Sequence, residues 1–271
     1  MFRFAMIFTT LAIAGWSGWW WVGSTAQQTA LSTWIEDRQR AGWVADYQDL
    51  QVKGYPNRFD TKLTDLNLAD PRSGWAWKTP ELQVLMLSYK PNHIIAVLPP
   101  EQVISTPEEN IKVTSDDIRA SVKFDADTAL ALNAVTAELK AVTLTSNAGW
   151  TSAMKKAKLA TRQTAGTENA HDIFFQADDL KPARIFKNII DPDGLLPDVF
   201  DTVRTDFTAE FDAPWNRHAV EGRKPEVTGL NIKEFTATWG ELDFQATGDL
   251  TFDSLGYPTG KVAVRAKTGR M

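Results

Sequence analysis

The side chains able to do chemistry are few, and their spacing joins none of them into a recognisable catalytic set. Cysteine is absent and there are three histidines, which removes disulfides, thiol nucleophiles, iron–sulfur clusters and cysteine-based zinc sites together. His171 and Asp172 form an adjacent imidazole–carboxylate pair, but on a strand the two would face opposite ways. A surface histidine beside an acid is therefore expected. His93 follows Lys90-Pro91-Asn92 and reads as a turn residue, while His218 lies in the polar stretch Trp215-Asn216-Arg217-His218, a candidate binding loop. Asp191-Pro192-Asp193-Gly194 has the start of a calcium loop but lacks the spaced ligands and closing glutamate, so it reads as a capped turn. Asp178-Asp179 is expected to cap a short helix over Pro182–Ile190. No Gly-x-Ser-x-Gly elbow, phosphate-binding glycine loop or His-Glu-x-x-His is present. The expectation is a non-enzymatic protein with no catalytic residue, no metal and no cofactor. Net charge is −5, and Lys155, Lys156, Lys158 and Arg162 lack interleaved aromatics, so nucleic acid is not an expected partner.

The elements that carry these residues begin with Phe4–Val22, which has no charged side chain. As a helix it would span roughly 28 Å, near the thickness of a bilayer core. Phe4, Ile7, Phe8, Leu11 and Ile13 supply the apolar body, and Trp16, Trp19, Trp20, Trp21 and Val22 close it as an aromatic belt. Arg3 stands in front and no Lys or Arg follows until Arg38, so the bulk of the chain is expected outside the cytoplasm. A cleaved leader ending near Ser24-Thr25-Ala26 is the alternative, and it also exports the chain. Residues 23–41 read as an amphipathic helix or linker carrying Leu31, Trp34 and Ile35, ended by Gly42.

From residue 42 the pattern changes to period two. Ile118, Ala120, Val122 and Phe124 alternate with polar residues, as do Phe207, Ala209 and Phe211, and Leu242, Phe244 and Ala246. Such alternation predicts antiparallel strands with one wet face. Leu82–Leu87 and Ile94–Leu98 are apolar on both faces and are expected as deeply buried strands, and Thr128–Lys140 fits helix or strand. Gly54-Tyr55-Pro56 and Gly256-Tyr257-Pro258 recur as turns between alternating stretches. The predicted class is α+β, mostly β, with 1–22 an anchor or leader and 42–271 one β-rich domain. Phe207, Phe211, Phe244 and Phe252 would share apolar strand faces and form a candidate apolar ligand face.

Three stretches carry a resemblance: Gly54-Tyr-Pro-Asn-Arg-Phe-Asp60, Leu87-Ser-Tyr-Lys-Pro-Asn-His93, and Trp239-Gly-Glu-Leu242 with Gly256-Tyr-Pro-Thr-Gly260. Together they resemble an uncharacterised family of bacterial envelope proteins, a domain of unknown function, similar in layout to AsmA-type proteins. The resemblance implies an inner-membrane anchor, an extended periplasmic β-structure and a chain that continues beyond residue 271. It brings no catalytic residues. The expected function is a periplasmic, single-pass, membrane-anchored binding or scaffold protein whose partners are the bilayer and envelope proteins. The alternative is a carrier or shield for lipid acyl chains in an apolar β-trough.

Overall fold

The computed structural model describes residues 2–221 and 223–268, and the chain divides into two compact units, Met1–Asn110 and Ile111–Met271. The first unit opens with one helix, α1 (Phe2–Arg40), which runs unbroken through both the uncharged segment and the expected linker. Continuity is local in origin, since no proline interrupts these residues. The Thr9, Thr10 and Ser17 hydroxyls donate to the carbonyls of Ala5, Met6 and Ile13 at 2.9, 2.9 and 2.8 Å, so their polar groups are satisfied within the helix. Gly42, at φ +88°, stops it: the Trp43 amide reaches back to the Arg38 carbonyl at 3.0 Å, a Schellman-type closure. No helix among the described residues is long and apolar enough to cross a membrane; tryptophan, glycine, serine and threonine dilute the aliphatic content of this one.

Six strands complete the unit: β1 (Val44–Asp46), β2 (Asp49–Lys53), β3 (Arg58–Asp70), β4 (Trp75–Leu87), β5 (Lys90–Leu98) and β6 (Glu101–Ser105). All their pairings are antiparallel, with β1 and β2 both along β3, β3 on β4, and β5 and β6 on β4. Ile35 of α1 joins Ala45, Leu50, Leu63 and Leu66 in the core, with Leu31, Trp43 and Trp77 packed around them. The core therefore sits between the second half of α1 and the β1–β3 ladder. That placement corrects one expectation: Leu82–Leu87 and Ile94–Leu98 are central and early in the ladder but mostly half-buried, not deeply buried. The helix packs chiefly against β1 and β2. His93 is likewise within β5 and not in a turn.

The second unit is an antiparallel meander of β7 (Asn110–Thr114), β8 (Asp117–Phe124), β9 (Leu132–Ser146), β10 (Thr151–Gln163), β11 (Ala170–Leu180), β12 (Phe200–Phe211), β13 (Val227–Trp239), β14 (Leu242–Phe252) and β15 (Pro258–Thr268). Strands β8 to β15 pair in chain order, and β7 joins the far end of β9. The ambiguous stretch from Thr128 becomes strand from Leu132. Two short helices interrupt the meander, α2 (Arg184–Ile190) between β11 and β12 and α3 (Arg217–Glu221) between β12 and β13. The first lies within the stretch expected to be helical, but its cap is not the expected one. Ala183 is its N-cap and makes no side-chain bond. Asp178 belongs to the ladder opposite Lys156, and Asp179 pairs with Lys155 at 3.2 Å. At the other end Asp191 closes the helix, accepting from the amides of Leu195 and Leu196 at 2.9 and 3.1 Å.

Candidate functional site

The register of the second unit builds a surface that no single strand reveals. Ile118, Leu139, Ala157, Ala177, Val203, Ala237, Phe244 and Ala266 stand side by side, one from each of β8 to β15. The next row is Ala120, Ala137, Leu159, Phe175, Thr205, Phe235, Ala246 and Val264. The third is Val122, Val135, Thr161, Ile173, Phe207, Ile232, Gly248 and Val262. Between the first two rows, on the opposite face, lie Arg119, Glu138, Lys158, Gln176, Arg204, Thr236, Gln245 and Arg265. Period-two alternation in each strand, held in register across eight, thus separates an apolar face from a charged one.

The apolar face is incompletely covered. Its small residues are buried by their neighbours, Ala157, Ala177, Ala237 and Ala246 among them. Its large ones, Phe175, Phe207, Phe235 and Phe244, are all half-buried, and Val264 is 59% exposed. Helix α2 overhangs one end. There a cavity of about 450 Å³ is lined by Leu180, Pro182, Phe186, Ile190, Phe200, Val203, Phe235, Ala237, Trp239, Leu242 and Phe244, without a charged side chain. Trp239 forms its end wall, stacked on Phe200 at 4.2 Å and donating from Nε1 to the Pro197 carbonyl at 2.7 Å. Phe235 and Phe244 meet edge to face at 5.7 Å across β13 and β14. Other apolar side chains of this segment face solvent: Ile185, Ile189 and Leu195 are exposed.

Of the four phenylalanines expected to share this face, Phe244 lines the cavity. Phe207 lies in the third row, Phe211 packs edge-on against Trp215 at 5.6 Å, and Phe252 is at the far end of β14 opposite Pro258. Sequence reading missed Phe186, Ile190, Phe200 and Trp239; the apolar Ile185-Phe186 and Ile189-Ile190 pairs inside the connection from β11 to β12 were the available signal.

The histidines do not converge on a site. His171 is a correction to the expected surface position: it is buried at 3% exposure, on the apolar face beside Thr161 Oγ1 at 3.3 Å and edge-on to Phe211 at 6.2 Å. Burial pushes its pKa down, against the pull of the neighbouring Asp172 charge. Asp172 does face the other way, receiving Lys233 Nζ at 2.8 Å, Thr208 Oγ1 at 2.7 Å and Arg162 Nε at 3.3 Å. These donors, Lys233 foremost, hold its carboxyl at about 2. His218 lies in the single turn of α3, where its amide donates to Asn216 Oδ1 at 2.9 Å. Among the described residues no group of His, Asp and Glu could hold a metal ion.

The recurring Gly-Tyr-Pro turns fare differently. Gly54 is at φ +106° and Gly256 at φ +80°. The second turn is closed by the Asp253 carboxylate, which accepts from the amides of Leu255 and Tyr257, both at 2.9 Å. The first is docked on α1. Trp16 and Trp20 donate their indole N–H groups to the Pro56 and Arg58 carbonyls, both at 2.7 Å. Ser17 Oγ lies 2.8 Å from the Tyr55 hydroxyl, and Trp20 contacts the rings of Tyr55 and Phe59. Gly23 allows the approach, since a Cβ there would fall 2.5 Å from the tip of Phe59.

No curated protein and no solved structure matches the chain, so the AsmA-type layout stays an expectation. The family described as "Uncharacterized protein conserved in bacteria (DUF2125)" matches residues 19–268, a stretch holding the docked turn, the apolar rows and the cavity, and the chain belongs to this bacterial family.

Proposed function

We propose that the protein is a non-enzymatic, membrane-anchored component of the bacterial envelope whose β-meander binds lipid acyl chains along its apolar face. The observation that carries this reading is the charge-free cavity of about 450 Å³ under α2, opening onto rows of half-buried phenylalanines. A sheet face of this kind must be covered by another layer or by a ligand. Apolar pockets of a few hundred Å³ are the usual size for a bound small molecule or chain. Phe2–Val22 would hold the chain at the inner membrane, with the remainder in the periplasm. Its intrahelical hydroxyl bonds and outward apolar side chains support that placement.

A second reading, a scaffold for an envelope protein, draws on the exposed Ile185, Ile189 and Leu195 of the α2 segment. Lipid analysis of the full chain, extracted in a steroid detergent that carries no acyl chain, separates the two. Wild type is expected to retain stoichiometric lipid. Phe244→Asp should lose it while losing less than about 2 kcal/mol of stability, because water reaches the new carboxylate. In a closed core the same charge would be buried unpaired, at a cost of several kcal/mol. A lipid-free wild type together with a strongly destabilised Phe244→Asp would favour the scaffold. Annular lipid around α1 is the internal control, since this substitution leaves the anchor untouched.

A further inference from the structure

The docked Gly-Tyr-Pro turn limits how much of α1 is bare. From Phe2 to Gly15 every helix residue is exposed, and the apolar side chains point outward: Phe2, Phe4 and Phe8 are 82%, 80% and 75% exposed. Packing begins at Trp16. The bare stretch is therefore about 21 Å long at the rise of an α-helix, whereas a bilayer core is about 30 Å thick. The missing length is about six residues, and the next six are Trp16–Trp21, the segment to which the turn is bonded.

Resting on the anchor reading above, we infer that the Gly54–Asn57 turn is itself a membrane-interface element, seated in the lipid headgroup layer beside Trp16 and Trp20. The turn has the chemistry for that depth. Gly54, Tyr55, Pro56 and Asn57 carry no charge, and Tyr55 is exposed beyond its bond to Ser17. The first charges on either side, Lys53 and Arg58, are cations on exposed side chains; the Arg58 carbonyl accepts from Trp20 and its guanidinium pairs with Asp60 at 3.0 Å, and Lys53 is the cation placed to meet lipid phosphates. Trp19 and Trp21, exposed on the remaining circumference of the helix, complete an aromatic collar with Tyr55. Helix and turn together then set the depth at which the chain sits, because the strands beyond Arg58 are too polar to follow the turn inward.

The absence of cysteine makes single-cysteine nitroxide labelling of the full chain direct. In vesicles of phosphatidylethanolamine and phosphatidylglycerol, labels at Leu11→Cys, Tyr55→Cys, Asn57→Cys and Glu36→Cys are compared for access to oxygen and to a water-soluble nickel chelate. Asn57→Cys keeps the Tyr55 hydroxyl bond, so a folding effect of Tyr55→Cys is recognised. The Leu11 label is expected to favour oxygen. The two turn labels should be at least threefold less accessible to nickel than the Glu36 label, which lies about 24 Å further along the helix from Trp20. Turn labels as nickel-accessible as Glu36, with Leu11 still in lipid, would overturn the inference and leave the anchor standing. A Leu11 label open to nickel would overturn both.

Discussion

At φ +106°, with a Cβ that would meet Arg58 Cβ at 2.8 Å, Gly54 is excluded from change by both conformation and space. Gly256 shares the positive φ but has open space around it. Gly54→Val is therefore expected to cost about 1–3 kcal/mol in urea unfolding of the full chain, and Gly256→Val about 1 kcal/mol; equal costs would mean that the contact with Arg58 does not count. His171 offers a test in pH. Burial lowers its folded pKa, so as pH falls below 6.5 the unfolded chain binds a proton that the folded chain refuses. Stability present above that pH is then lost progressively. The lowered Asp172 acts only in the separate window between 3.8 and about 2. Wild type should lose more stability between pH 7.5 and 5.5 than His171→Leu, and equal losses would contradict a neutral buried imidazole. The sequence put His171 and Asp172 on opposite faces by parity alone. It could not tell which face was dry, because that depends on Phe211 and Thr161 arriving from neighbouring strands.

Among the elements, α1 shows what periodicity can and cannot supply. Of the legible Leu31, Trp34 and Ile35 stripe, Leu31 and Ile35 do enter the core, whereas Trp34 stays exposed with the Arg38 guanidinium over its ring. The uncharged half read as a membrane span, and nothing local indicated that its tryptophans bond a turn some forty residues away. Gly23 is the element-scale test of that docking. Gly23→Leu improves helix propensity but collides with Phe59. It is expected to separate the hairpin from the helix, red-shifting the Trp16 and Trp20 emission and lowering the midpoint of unfolding. A stabilised variant would show that the helix and hairpin do not depend on each other. Strand alternation was similarly readable for β8, β12 and β14. Helix α2 was readable from Pro182 and Asp191, though not its part in roofing a cavity.

Across the second unit the sequence supplied the two faces of β8, β12 and β14, and only the register supplied rows eight strands wide. Val203, Phe235 and Phe244 are separated in the chain by turns and by α3, so their adjacency is a property of the ladder. The account rests on that adjacency producing a surface that holds acyl chains. The most direct measurement is photolabelling of the full chain in native membranes with a diazirine-bearing fatty acid, followed by mapping of the adducts by mass spectrometry. Adducts are expected on peptides containing Phe186–Ile190, Phe235–Trp239 and Leu242–Phe244, in addition to those on α1, and on no side chain of the polar row through Lys158 and Gln176. Adducts on Phe2–Val22 alone would contradict the account, leaving the protein an anchored chain whose apolar face is closed to lipid.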